Sequence, residues 1–129
     1  MKDQRLMTVS TIHADGRPQA AVVQFAVMPD GSILMETSNR ARKYPNLLAD
    51  DRVACIIGWD QRISVQLEGT AQQVAESDVA AFKTVYLDKN PKARNLIDQP
   101  DTRLFKITPT WLRYGDYGSD PWFIEEFSL

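Results

Sequence analysis

The segment between residues 6 and 38 most constrains the fold, because three strand-like stretches follow one another there with only short turn signals between them. The stretches run from Leu6 to Ala14, from Gln19 to Met28 and from Ser32 to Thr37, and they are rich in Val, Ile, Thr and Phe, which favour extended structure. Asp15-Gly16 and Pro29-Asp30-Gly31 supply the backbone freedom that tight reversals need. The pattern predicts an antiparallel β-meander.

The next part of the chain predicts a short helix followed by a second hairpin. Residues 38–49 start polar and continue with helical character, and Pro45 is tolerated there if it falls within the first turn. Strands are expected over Arg52 to Trp59 and Arg62 to Val74, joined through Asp60-Gln61. Gly69 within the second of these strands is typical of a bulge.

From Ser77 the apolar spacing becomes helical, which predicts an amphipathic helix with Ser77 or Asp78 as its cap. The helix is expected to pack on the β-structure through Val79, Phe82, Val85 and Tyr86. A second short helix is predicted over Pro91 to Asp98. The alternating segment Arg103 to Thr108 predicts a last strand, which Trp111 to Tyr114 extend.

This order of elements favours a mainly β fold, a six-stranded antiparallel barrel with short helices at its openings. We interpret residues 1–129 as one domain, since 129 residues suffice to bury a core. The single cysteine, Cys55, lies in an apolar run and is interpreted as a buried structural thiol.

The charge balance excludes partners that need a strong field. The chain has 15 basic and 17 acidic residues and a formal net charge of −2, so we expect neither nucleic acid nor a membrane as a partner. The stretch Met1 to Arg5 lacks the apolar character of a signal peptide, and no apolar run approaches the roughly 20 residues of a membrane span. We therefore expect a cytoplasmic protein.

The segment Thr37-Ser38-Asn39-Arg40-Ala41-Arg42-Lys43 is the best candidate for a binding site. Two hydroxyls at a strand end run into three cations at the start of a helix, and hydroxyl donors, guanidinium and ammonium groups all favour a phosphate dianion. The alternative is a solvated basic turn, which the composition of the segment alone does not exclude.

Several short motifs occur in an order and spacing that resemble the pyridoxamine 5'-phosphate oxidase-like family over about residues 6–114. They are Thr8-Val9-Ser10-Thr11, Asp15-Gly16-Arg17-Pro18, Thr37-Ser38, Arg42-Lys43, Asn46-Leu47, Asp51-Arg52-Val53-Ala54 and Glu68-Gly69-Thr70-Ala71. The resemblance implies an FMN-binding split β-barrel that works as a homodimer, with the flavin held at the subunit interface.

The resemblance also implies which residues bind the cofactor. Arg42, Lys43, Thr37 and Ser38 would hold the FMN phosphate, and the partner subunit would complete the site. The isoalloxazine ring would lie along the second strand, and Ser64 would lie near the cofactor. The strand residues are Ala21, Val22, Val23 and Gln24, whose backbone would bond the polar edge of the ring.

Two departures from the family pattern argue against oxidation of vitamin B6 compounds. Ala21 occupies the position of a cofactor-binding arginine in the true oxidase. Residues 114–122 lack the Arg-x-His motif with which that enzyme recognises its substrate.

The sequence requires no catalytic side chain and predicts no metal site. His13 is the only histidine and is expected to be an exposed turn residue. The leading hypothesis is an FMN-dependent oxidoreductase that uses a small-molecule substrate or a nicotinamide donor, with the redox chemistry in the flavin. The alternatives are a non-catalytic cofactor-binding or stress-response module carrying FMN, a deazaflavin or haem, and a barrel that has lost its cofactor.

Overall fold

The structure of the protein is a computed structural model that describes residues 4–129. The first three residues, which belong to the polar N-terminal stretch discussed above, lie outside the described residues. The strands of the described part are β1 (Leu6–Ile12), β2 (Pro18–Val27), β3 (Ile33–Ser38), β4 (Arg52–Ile57), β5 (Ile63–Gln73), β6 (Thr102–Asp116) and β7 (Phe123–Ser128). The α-helices are α1 (Lys43–Ala49), α2 (Val79–Lys89) and α3 (Arg94–Ile97), with 3-10 turns over Glu76–Asp78 and Pro91–Ala93.

The strands form one antiparallel sheet in the order β3-β2-β1-β4-β5-β6-β7, and β3 also pairs with β6. The additional pairing closes six strands into a barrel and leaves β7 outside the closed part. The predicted meander is confirmed, since β1 pairs with β2 and β2 with β3. The predicted six-stranded antiparallel barrel is confirmed as well.

Strand β6 is the longest strand, and its two halves pair with two different strands. Its first half pairs with β3 from Thr102 to Ile107, and its second half pairs with β7 from Trp111 to Asp116. Opposite β5, the register shifts between Glu68 and Gly69, which confirms the predicted bulge. A Cβ atom at Gly69 would clash with the carbonyl oxygen of Thr108, so this close approach of β5 and β6 requires glycine.

The core consists of two clusters that follow the alternation of the strands. The first fills the barrel interior, where α1 covers one end, and it includes the buried thiol of Cys55. Its buried members are Met7, Val9, Val23, Phe25, Ile33, Met35, Leu47, Val53, Cys55, Ile57, Leu67, Ala71, Phe105 and Ile107. The second cluster lies between α2 and the outer face of β2, β3 and β6, and it contains the predicted helical stripe of Val79, Phe82, Val85 and Tyr86.

Two elements differ in detail from the predictions. The helix after Ser77 begins only at Val79 because a 3-10 turn precedes it, and Asp78 takes the cap position without a side-chain hydrogen bond. Strand β7 was not predicted from the sequence. All six of its residues are exposed, so its side chains lack the alternation of burial that marks a strand, and it is held by main-chain pairing with β6.

None of the helices within residues 4–129 is long and apolar enough to cross a bilayer.

A carboxyl group is buried where α2 packs against β3. The Oε2 atom of Glu36 and the hydroxyl of Tyr86 are both buried, and neither has a hydrogen-bond partner in the described part of the chain. Burial raises the pKa of Glu36, while the nearby Tyr86 hydroxyl acts in the opposite direction. Because burial disfavours the charged form, ionisation of Glu36 weakens the packing of α2 on the barrel.

We predict that Glu36→Gln stabilises the protein at neutral pH by about 1 kcal/mol, since it removes a charge that burial disfavours. Above the pKa of a free glutamate, about 4.3, the unfolded chain loses its proton before the folded protein does. The free energy of unfolding of the wild type therefore falls as the pH rises from there toward the raised pKa of Glu36, and the variant lacks this fall. Urea denaturation at a series of pH values measures both effects.

Glu125→Gln is the matched control because Glu125 is exposed on β7. An equal stabilisation in both variants, or a Glu36→Gln effect that persists below the pKa of free glutamate, would contradict the interpretation.

Candidate functional site

A small cavity lies between the β1–β2 hairpin and the segment that leads into α1, and we call it the phosphate-sized pocket. Its volume is about 140 Å³, a few times the roughly 30 Å³ that one water occupies in the liquid. It therefore accommodates a tetrahedral anion but is too small for a three-ring system. The residues that line it are Val9, Thr11, Gln19, Ala20, Ala21, Arg42 and Lys43.

The basic residues of this pocket differ from their neighbours along the chain. Arg40 forms an ion pair with Asp101 at 3.0 Å and Arg52 one with Asp50 at 2.7 Å. By contrast, Arg42 and Lys43 have no ion pair or side-chain hydrogen bond within residues 4–129. Lys43 is also half-buried, and this desolvation lowers its pKa. An anion in the pocket would stabilise the charged form of Lys43, which burial disfavours.

A buried amide connects α1 to the hairpin and so fixes the shape of the pocket. Asn46 in α1 donates hydrogen bonds through Nδ2 to Thr11 Oγ1 and to Gln19 Oε1, both at 3.0 Å. Asn46 and Thr11 are buried. Because Thr11 and Gln19 are also paired neighbours of β1 and β2, these two bonds hold the helix over the end of the barrel.

The first half of β2 has a free main-chain edge. Residues Pro18 to Gln24 pair with β1 on one side, whereas β3 pairs with β2 only from Phe25 to Val27. The edge that β3 leaves open therefore carries amide and carbonyl groups without a strand beside them. Along this segment, the side chain of Val23 points into the barrel core, whereas Val22 and Gln24 point outward and are exposed.

The outward side of β2 continues into a sheet face that no described element covers. Cross-strand pairing places Val22, Thr8, Ile56, Gln66, Arg113 and Glu126 in one row across six strands. Val22 is 60% exposed and Ile56 42% exposed. Arg113 and Glu126 form an ion pair at 2.8 Å at the far end of the row. We call this row and its neighbours the open face.

The other residues predicted to bind the cofactor lie outside the pocket lining. Thr37 is buried at the end of β3, and the hydroxyl of Ser38 accepts a hydrogen bond from the Arg40 amide at 3.1 Å. Ser64 lies on β5, three strands away from β2 in the sheet order. With about 4.8 Å between neighbouring strands, this corresponds to roughly 14 Å measured along the curved sheet. The structure therefore brings Ala21, Arg42 and Lys43 together but leaves Ser64 distant within one subunit.

The sequence did not indicate that Thr11, Gln19 and Asn46 belong to the site. Their side chains meet although Asn46 is 35 residues from Thr11 and 27 from Gln19. The polar residue Asn46 beside Leu47 in a short helix was the one available signal. It did not indicate which residues Asn46 contacts.

The closed barrel with a free β2 edge and a cationic pocket beside it places the protein in the class of split β-barrels. Residues 1–115 match the family described as pyridoxamine 5'-phosphate oxidase. The chain belongs to this family, as the motif order predicted.

Individual relatives share this fold but carry different names. The chain is 34% identical over 104 residues to the non-canonical heme oxygenase HOZ of Arabidopsis thaliana, an alignment that covers 78% of the chain and 32% of the relative. A heme-binding protein from Mycobacterium smegmatis superposes with a TM-score of 0.82 at 22% identity, covering 97% of the chain and 53% of that structure. An FMN-binding protein from Nostoc punctiforme superposes with a TM-score of 0.73 at 12% identity, covering 97% and 86%.

The chain spans only about a third of the length of the curated relatives that it matches, 32% and 39% of the first two. The structural likenesses, all below 25% identity, establish the fold alone.

We predict that Asn46→Ala lowers the free energy of unfolding by about 1–3 kcal/mol, because it removes two hydrogen bonds and leaves buried polar atoms unpaired. Urea denaturation at neutral pH measures the change. Asn95→Ala is the control, since the Asn95 side chain is exposed and makes no hydrogen bond in the described structure. Equal effects of the two substitutions would show that the Asn46 bonds do not hold α1 in place.

Proposed function

We propose that the protein binds FMN at the interface of a homodimer and acts as an oxidoreductase on a small-molecule substrate or with a nicotinamide donor. The observation that carries this proposal is the pair of cations, Arg42 and Lys43, which lack protein partners in the described structure and converge on a phosphate-sized pocket beside the free edge of β2. The FMN-binding relative from Nostoc punctiforme supports it.

The site fits the two chemically distinct ends of FMN. Arg42 and Lys43 would hold the phosphate through charge-assisted hydrogen bonds. The pocket is too small for the isoalloxazine ring, so the ring would lie outside it along β2. There the main chain of Val22, Val23 and Gln24 would offer amide and carbonyl groups to the polar edge of the ring, and the exposed Val22 side chain would contact its face.

The protein's own residues would bind and orient the cofactor and would exclude water from it. When bound, FMN supplies hydride and electron transfer chemistry, so no side chain of the protein is needed as a general acid or base. Lys43 would place a positive charge beside the phosphate, and the partly buried position of its ammonium group strengthens that interaction.

The homodimer would complete the site from the other side. The open face exposes apolar side chains such as Val22 and Ile56 in a continuous sheet surface, as protein interfaces do. Since Ser64 lies on β5, three strands from β2 in the closed barrel, it would reach a flavin only in the partner's site. A twofold arrangement brings different strands of the two subunits together in this way.

The chemistry around the C-terminus argues against a phosphorylated vitamin B6 substrate. Ala21 cannot contribute a charged group to the pocket. All charged side chains of residues 114–129 are acidic, and they would repel the phosphate group of such a substrate. They are Asp116, Asp120, Glu125 and Glu126. We therefore propose a substrate without a phosphate group of its own.

We predict that replacing both Arg42 and Lys43 by Ala weakens FMN binding by a few kcal/mol, given about 1.5–3 kcal/mol for each charged hydrogen bond. This corresponds to a rise in Kd of about 100-fold or more. Riboflavin, which lacks the phosphate, is expected to bind both proteins equally. Quenching of flavin fluorescence measures the affinities, and gel filtration shows whether the flavin elutes with a dimer.

Arg40→Ala is the matched control, because Arg40 is a neighbouring cation that is paired with Asp101. Unchanged FMN affinity in the double variant would overturn the phosphate assignment. A wild-type protein that binds neither flavin would overturn the proposed function.

A second candidate is a haem-binding module, and the similarity to the heme oxygenase of Arabidopsis thaliana favours it. His13 is the only imidazole in the chain. Its Nδ1 atom lies 2.9 Å from a carboxylate oxygen of Asp15, and in the tautomer with the hydrogen on Nδ1 this contact orients the ring and leaves Nε2 as the coordinating atom.

If haem is the cofactor, hemin binding gives a shifted Soret band, and His13→Ala abolishes the shift without changing the thermal stability. A Soret shift that survives in His13→Ala would exclude His13 as the ligand. Saturable binding of FMN, but not of hemin, would favour the flavin.

A further inference from the structure

A second cavity adjoins the phosphate-sized pocket, and we call it the outer cavity. Its volume is about 390 Å³, and it shares the side chains of Arg42 and Gln19 with the smaller pocket. It lies between the turn of the β1–β2 hairpin and α1, where His13 and Ala49 form two of its walls. Arg42 therefore borders two adjoining spaces, and only one of them is as small as a phosphate.

The two cavities and the free edge follow one another along the hairpin. The exposed edge for a ring lies at residues 22–24, the phosphate-sized pocket at residues 19–21, and the outer cavity at residues 13–19. A phosphate held by Arg42 and Lys43 would lie beside the outer cavity, because Arg42 lines both spaces. The phosphate end of the site is therefore open rather than closed.

The charges around the outer cavity suit a second anionic group. The Nδ1 atom of His13 accepts a hydrogen bond from the Asp15 amide at 3.2 Å, which leaves the Nε2–H group as a donor, and Arg42 contributes a guanidinium without a described partner. The nearby carboxylates are already neutralised. Asp15 is bound by Arg17 at 2.7 Å, and Asp50 by Arg52 at 2.7 Å.

We propose that the site also takes flavins extended at the phosphate, dinucleotides of the FAD type, with the second phosphate near His13 and the nucleoside in the outer cavity. The inference rests on the proposed flavin function and names the ligand class of the same site more narrowly. FMN would bind through the inner part alone, whereas the diphosphate of a dinucleotide would continue past Arg42.

The test compares the affinities of FMN and FAD for the wild type and two variants. The wild type is expected to bind FAD at least as tightly as FMN. His13→Ala raises the Kd of FAD about tenfold, through loss of one hydrogen bond to a charged group, and leaves the Kd of FMN unchanged. Ala49→Trp fills the outer cavity from the exposed end of α1 and has the same selective effect.

Leu48→Trp is the matched control, since Leu48 is 59% exposed on the same helix and does not line the outer cavity. It is expected to change neither Kd, and circular dichroism verifies that each variant is folded. Binding of FMN with exclusion of FAD, or equal losses for both flavins in the variants, would overturn this inference and leave the proposed function standing. Failure of the wild type to bind either flavin would overturn both.

Discussion

The divergence of β3 from β2 is the constraint on which the rest of the structure depends. The two strands pair at only three positions, from Phe25 to Val27, whereas β3 crosses to β6 on its other edge and pairs with it along its whole length, at six positions. This crossing closes the barrel and buries Ile33, Met35 and Phe105 in its interior. The same crossing leaves the first half of β2 with an open main-chain edge, so barrel closure and the candidate site have one cause.

The candidate site combines this edge with two cations that have no ion-pair partner among residues 4–129. Arg40 and Arg52 are held by Asp101 and Asp50, whereas Arg42 and Lys43 face a pocket. Desolvation of Lys43 lowers its pKa and is unfavourable in the protein alone. Strongly perturbed charges cluster at functional sites, where a ligand can supply the missing partner. Asn46 keeps the arrangement in place through its bonds to both strands of the hairpin.

The local sequence pattern predicted the secondary-structure elements correctly where each element buries one face. The alternation in β1 and β4 and the helical stripe from Val79 to Tyr86 predicted elements that the structure contains. Strand β7 escaped prediction because all its side chains are exposed and only its pairing with β6 defines it. The hydrogen bonds of Asn46 could not be predicted for a different reason, because they join residues that lie far apart in the sequence.

The sequence by itself determined the β-meander, the barrel, the family and the basic segment that ends in Arg42-Lys43, because these follow from side-chain periodicity, turn residues and motif order within short stretches. Only the tertiary structure decided which of the basic residues remain without a partner, which edge of β2 stays open, and that two cavities meet at Arg42. Those properties depend on strand pairing and packing between distant segments, and the free energy of such contacts is a property of the folded arrangement rather than of any local stretch of chain.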